Sequence, residues 1–322
     1  MQLPAAGRIR PLGAPEQAPY PHKSELSVIT LGSGSPELNP KRASACTAVQ
    51  YRGRYYVLDT GNGASLSFAR GGRLGPYRHA DIAAILFTHL HQDHVNDYFD
   101  VMTARWTEGG KHLDLVGPPG VGELHGFLVT FFRDDLVYRW LVGGPSGVNE
   151  EGMFTGVDIR ELTGANTFEL DGIKVTTAEM THSMYNLAYR FDVEEKSVVV
   201  SGDTAFDPRL IALASGAQTL VIDANPWADG TKPPPPRRPV EDLPPEYRVP
   251  TPFRGDPGAP NHMSLPEVVQ VAVQAAVGTI VLTHLWPLPV DEELVDHTVA
   301  AFVAEGFKGR VVFAEDGLEV AV

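Results

Sequence analysis

The stretch Ile82-Ala83-Ala84-Ile85-Leu86-Phe87-Thr88-His89-Leu90-His91-Gln92-Asp93-His94 joins a short apolar run to three imidazoles and a carboxylate. An apolar run of that length predicts a buried strand, so the histidines sit just beyond a strand end. In an extended turn the side chains at i and i+2 can grip one ion. Once the chain bends, those at i+4 and i+5 can face a second. Imidazole and carboxylate donors suit zinc, iron or manganese, and zinc is the commonest hydrolytic choice. The single cysteine, Cys46, excludes an intramolecular disulfide and thiolate-only zinc, leaving nitrogen and oxygen as ligands.

The same order of apolar run and then polar donor recurs down the chain. Residues 173–178 lead to His182, 197–200 to Asp203, and 279–282 to His284. Any one alone reads as a capped strand end, but the repetition does not. Residues 26–31 and 55–58 form further strands, closed by Gly32-Ser33-Gly34-Ser35 and by Asp59-Thr60-Gly61-Asn62-Gly63, turns suited to a site rim. Strands are also expected at 113–116, 187–191, 220–222 and 311–313, and helices at 95–106, 208–214, 265–276 and 292–305. Most of the strands are short and richly apolar, as in sheets covered by helices.

These motifs resemble the metallo-β-lactamase fold hydrolases, especially the branch of tRNase Z, zinc arylsulfatase and cyclic phosphodiesterase. The resemblance runs from Leu31-Gly32-Ser33-Gly34-Ser35-Pro36 and Val57-Leu58-Asp59-Thr60-Gly61 to Leu282-Thr283-His284. It implies an α/β fold, a four-layer αβ/βα sandwich. It further implies that His89, His91 and His182 hold one divalent ion, Asp93, His94 and His284 a second, and that Asp203 bridges them. Zinc is the expected ion, with manganese or iron as alternatives. Asp59 matches the family's buried aspartate that orients the ligand turn, and it also suits a cap before Gly61. His262, in Asn261-His262-Met263-Ser264, resembles the histidine that this branch places beside the leaving group. It also opens a helix that Ser264 would cap. Asp93 and His262 are thus the expected catalytic residues; His22, His79, His112, His125 and His297 read as surface or packed residues.

The chain carries 40 acidic and 26 basic residues, a formal charge of −14, which disfavours a long-range pull on phosphates. The resemblance adds a second argument. tRNase Z enzymes gather tRNA with a long basic arm, in many bacterial forms between the third-motif histidine and the bridging aspartate. Here only 20 residues separate His182 from Asp203. The glutamate and histidine that typically follow the aspartate are replaced by Ile222-Asp223-Ala224-Asn225. The expected partner is therefore a small-molecule ester with nucleic acid disfavoured, no membrane, and a homodimer left open. No apolar run resembles a signal peptide or a membrane span, so a cytoplasmic location is the default.

Residues 1–24 are expected to be an extended segment and 25–322 one hydrolase domain. The stretch 232–260, with 11 prolines, forms a loop or arm inserted in that domain. The expected activity is dinuclear metal-dependent hydrolysis of a phosphodiester or aryl sulfate by a metal-bridging hydroxide. The alternatives are a lactonase or β-lactamase, or a metal-binding scaffold without turnover.

Overall fold

β1 (Leu26–Gly32) is buried along its whole length. Leu26 and Val28 belong to one apolar cluster, Ile29 and Leu31 to another. A strand with both faces covered lies in an inner layer, so its sequence reads as an unbroken apolar run. A computed structural model describes residues 25–71, 77–143, 148–228, 230, 238–242, 244–245, 261–286 and 289–322. The expectations for 1–24, and for 232–260 apart from 238–242 and 244–245, lie outside these residues.

The strands after β1 are β2 (Cys46–Tyr51), β3 (Arg54–Leu58), β4 (Ile82–Leu86), β5 (Leu113–Gly117), β6 (Val157–Glu161), β7 (Asn166–Leu170), β8 (Ile173–Met180), β9 (Asn186–Val193), β10 (Lys196–Val200), β11 (Thr219–Asp223), β12 (Thr279–Thr283), β13 (Arg310–Phe313) and β14 (Leu318–Ala321). The helices are α1 (Ala64–Arg70), α2 (Gln92–Val95), α3 (Tyr98–Thr107), α4 (Val121–Phe131), α5 (Arg133–Val142), α6 (Pro208–Ala214), α7 (Leu265–Ala275) and α8 (Glu292–Ala304).

Two seven-stranded sheets run β14-β1-β2-β3-β4-β5-β6 and β13-β12-β11-β10-β9-β8-β7. Their facing surfaces share one core, in which Val28, Leu58 and Leu86 meet Tyr189, Val198 and Val281. The outer face of the first sheet packs with α1 and α3 residues such as Phe68, Met102 and Trp106; that of the second packs with α6, α7 and α8 through Leu210, Val268 and Phe302. This is the four-layer αβ/βα sandwich expected from the resemblance. β3 pairs parallel with β4, and β10, β11 and β12 pair parallel in the second sheet. β8 and β10 both run antiparallel to β9 and so share a direction. The polar donors follow the carboxyl ends of these strands, where open α/β sheets commonly place ligands.

The helix expected at 95–106 is broken in two. Asp97 separates α2 from α3: its N–H donates to Thr60 O at 2.8 Å, and its carboxylate accepts from Ser65 N at 2.6 Å. Several elements were not expected at all. In α5 only Leu136 is buried while Val137, Tyr138, Trp140 and Leu141 stand exposed, so its apolar residues mark no face. β6 has no fully buried residue and carries no apolar run. Among the described residues no helix is long and apolar enough to cross a membrane.

Candidate metal centre

β4 ends at Leu86, and the next residues deliver His89, His91, Asp93 and His94 into the seam between the sheets. His91 caps the short α2, which turns Asp93 and His94 inward, where both are buried. His182 follows β8, Asp203 follows β10 and His284 follows β12. The structure gathers all seven predicted ligands.

They form two groups with Asp203 common to both: His89, His91, His182 and Asp203; and Asp93, His94, His284 and Asp203. His91 Nδ1 lies 2.9 Å from His89 Nε2 and 3.1 Å from His182 Nε2. Asp203 Oδ2 lies 3.2 Å from His284 Nε2, 3.3 Å from His94 Nε2 and 3.9 Å from His89 Nε2. Asp93 Oδ2 lies 3.2 Å from His284 Nε2 and 3.5 Å from His94 Nε2. His94 Nε2 is buried, faces two carboxylates and still makes no hydrogen bond. A buried polar atom left unpaired typically costs about 1–3 kcal/mol. Aim at shared carboxylates without hydrogen-bond alignment suits a donor to a cation, and the residues fit divalent ions.

The electrostatics agree for the first group. Burial lowers the His89 and His91 imidazoles and pushes His182 down to about 4, so all three present the neutral form that ligates. Burial works against the charge of Asp93 and Asp203, but the surrounding imidazoles hold both below the usual carboxylate range.

A ring of partners fixes the donors. Asp59 Oδ2 accepts from Thr88 Oγ1 at 2.7 Å and sits 2.8 Å from His94 Nδ1, while Oδ1 accepts from Thr88 N at 2.8 Å. Thr88 Oγ1 in turn lies 3.0 Å from His89 Nδ1. One buried carboxylate thus orients an imidazole in each group. His182 Nδ1 is held by Asn261 O at 3.1 Å. Asn186 Nδ2 donates to the carbonyl of Asp203 at 2.6 Å. Asp59 and His284 both adopt positive φ, 60° and 56°, conformations that surrounding contacts must hold. At Gly202, φ is 62°, and a Cβ would come 2.6 Å from Asn186 Oδ1 and 2.7 Å from Thr88 Cβ. Only glycine fits beside Asp203. Asp59→Ala is expected to lower metal affinity or turnover about 10–100-fold, as loss of a partner that orients ligands does. Metal titration and steady-state kinetics of this variant check it.

His262 stands beside the ligands, its ring stacked on His284 at 5.3 Å. Sequence reasoning missed its partner. Asp223, the last residue of β11, places Oδ2 2.7 Å from His262 Nδ1 and Oδ1 3.5 Å from His284 Nδ1. The signal was the same apolar strand ending in a carboxylate that marks the other donors. Burial opposes the imidazolium of His262, but Asp223 outweighs it and pushes the group up to about 9. Ser264 and Glu267 form the capping box that opens α7 just after it. Of the remaining histidines, His79 is buried between Ser65 and Glu108, and His125 bonds the Tyr98 hydroxyl, both away from this cluster.

The beta-lactamase superfamily domain family matches residues 54–285. The chain is 31% identical over 297 residues to the ribonuclease Z of Mycolicibacterium paratuberculosis, covering 90% of this chain and 96% of that one. It is similarly 31% identical over 297 residues to the ribonuclease Z of Mycobacterium avium, with the same coverage. Among solved structures, it resembles a metallo-β-lactamase fold protein of Bacillus subtilis with a TM-score of 0.62 and 17% identity, covering 92% of this chain and 100% of that one. The short form of human tRNase Z gives a TM-score of 0.61 with 15% identity, covering 92% and 99%. These two show the fold alone.

The ribonuclease Z relatives overturn the expectation of a small-molecule ester with nucleic acid disfavoured. That expectation rested on net charge, on the short interval between His182 and Asp203 and on the altered residues at 222–225; net charge reports the mean field of the surface and not the potential at one cleft. The replaced residues at 222–225 also proved a poor guide, since Asp223 supplies a carboxylate to His262.

Proposed function

The chain belongs to the beta-lactamase superfamily and its ribonuclease Z branch, and from that premise we propose that this metal-dependent hydrolase cleaves phosphodiester bonds of RNA with two zinc ions. The observation that carries the reading is the Asp223–His262 pair set against the two groups that share Asp203. Of the two esters expected from the sequence, the relatives favour the phosphodiester.

His89, His91 and His182 would hold one ion, Asp93, His94 and His284 the other, with Asp203 common to both. When bound, the ions supply Lewis-acid charge and a water acidic enough to attack at neutral pH. The remaining work falls to the chain. Asp93 and Asp203 stay ionised and keep the donor set anionic. Asp59 and Asn261 fix the imidazoles through His94 and His182. His262, protonated at neutral pH through Asp223, donates a hydrogen bond to an ester oxygen and a proton to the departing ribose oxygen. Asp223 faces the opposite ring nitrogen, leaving Nε2 for that role.

Incubation of the zinc-loaded protein with RNA, a tRNA transcript included, tests this directly. The expected result is cleavage at defined positions that stops when a chelator removes the metal. Intact RNA alongside rapid opening of a lactone or β-lactam would overturn the reading.

A further inference from the structure

An RNA hydrolase with a net charge of −14 needs a source of substrate affinity other than a broad cationic field. The interval between His182 and Asp203 offers none, because β9 and β10 fill it as a hairpin turned at Glu194-Glu195. Single-stranded nucleic acid has a second handle: bases stack on aromatic side chains, whatever the net charge of the protein.

The rim of the cleft carries one. Trp286 is 41% exposed, whereas Trp106 in the core is fully buried. It shares a small cleft with Asp223, Ala224, Asn225, His262 and His284. The residue before it is anchored: Leu285 is buried, its N–H donates to Ser33 O at 2.8 Å, and it bridges to Gly34. Trp286 therefore stands two residues from a ligand-type histidine, next to the anchored Leu285, in the same cleft as His262. A large apolar ring held open to solvent beside a reacting phosphate suits a flat, neutral, stackable group. Asn225, half-buried in the same wall, adds an amide that can pair with a base edge.

We propose that Trp286 is the stacking platform for the nucleobase next to the scissile phosphate, with Asn225 at the edge of that base. The inference rests on the RNA reading above. It makes base stacking near the cut a source of substrate affinity that does not depend on the net charge of the surface.

The test is a cycle between the protein and the substrate. Wild type, Trp286→Ala and Trp286→Phe, each checked for metal content, are assayed on an RNA of mapped cleavage site and on the same RNA made abasic at the nucleotide on either side of the cut. Trp286→Ala is expected to lower kcat/KM on the intact RNA by on the order of 10- to 100-fold. Trp286→Phe should retain most of the activity. On the RNA abasic at the stacked position, wild type and Trp286→Ala should be equally slow, since the contact is already gone. An unchanged kcat/KM for Trp286→Ala on intact RNA overturns the proposal. So does an equal fractional loss on the intact RNA and on both abasic RNAs, which would give the indole a role unrelated to a base. A wild-type protein inert toward RNA removes the RNA reading itself and the platform with it.

Discussion

Asp203→Ala should leave a folded protein that retains less than one tightly held ion per chain and has lost more activity than Asp59→Ala. Asp203 belongs to both donor groups, and its Oδ2 lies within 3.9 Å of imidazole nitrogens from each. Removing it strips a donor from two sites and leaves His89, His91 and His182 with no carboxylate in their group, while the other group keeps Asp93. Asp59 touches the donors only through His94 and Thr88, so its loss stays within the about 10–100-fold range of such partners. Elemental analysis and turnover of the two variants side by side check this. Equal losses with full metal retained would show that Asp203 is not the shared ligand.

His262→Ala should keep its metal and its fold while losing roughly 10²-fold or more in turnover on RNA, the range for a positioned proton donor. A ribose oxygen is a poor leaving group and needs the proton. A 4-nitrophenyl phosphodiester departs without one, and there the loss should shrink. The pH profile carries a second signature. His262, which Asp223 pushes up to about 9, is protonated below its pKa, and its donor role disappears as pH rises through it. The wild type should show that alkaline decline on RNA, and His262→Ala should lack it. Asp223→Asn should shift the decline to lower pH, because the carboxylate holds the imidazolium. Metal loss in His262→Ala would make His262 a ligand. Loss of stability alone would leave only its place at the entry to α7.

Much of this was legible in the sequence. Strands buried on both faces, such as β1, β10 and β12, announce themselves as short apolar runs, and the donors sit just past their ends. The reading failed where burial is one-sided or absent, as in β6 and α5, because nothing there forces a periodic pattern. It failed also at Asp97, whose carboxylate and N–H are claimed by α1 and Thr60, tertiary contacts that break an otherwise plausible helix. Within the site, the ligand types were visible but the partners were not. Asp223 reads as an altered family position and takes its meaning only from His262, 39 residues away. Net charge misled for a related reason: it sums the whole surface, whereas substrate choice is made by a few groups in the cleft.

The most direct test of the paired centre is cleavage of RNA by metal-free protein as zinc is added back in measured equivalents. The two groups sharing Asp203 predict little cleavage after the first equivalent and a rise to full activity with the second, at a plateau of two ions per chain. Full activity at one equivalent, or a plateau of one ion per chain, would contradict it.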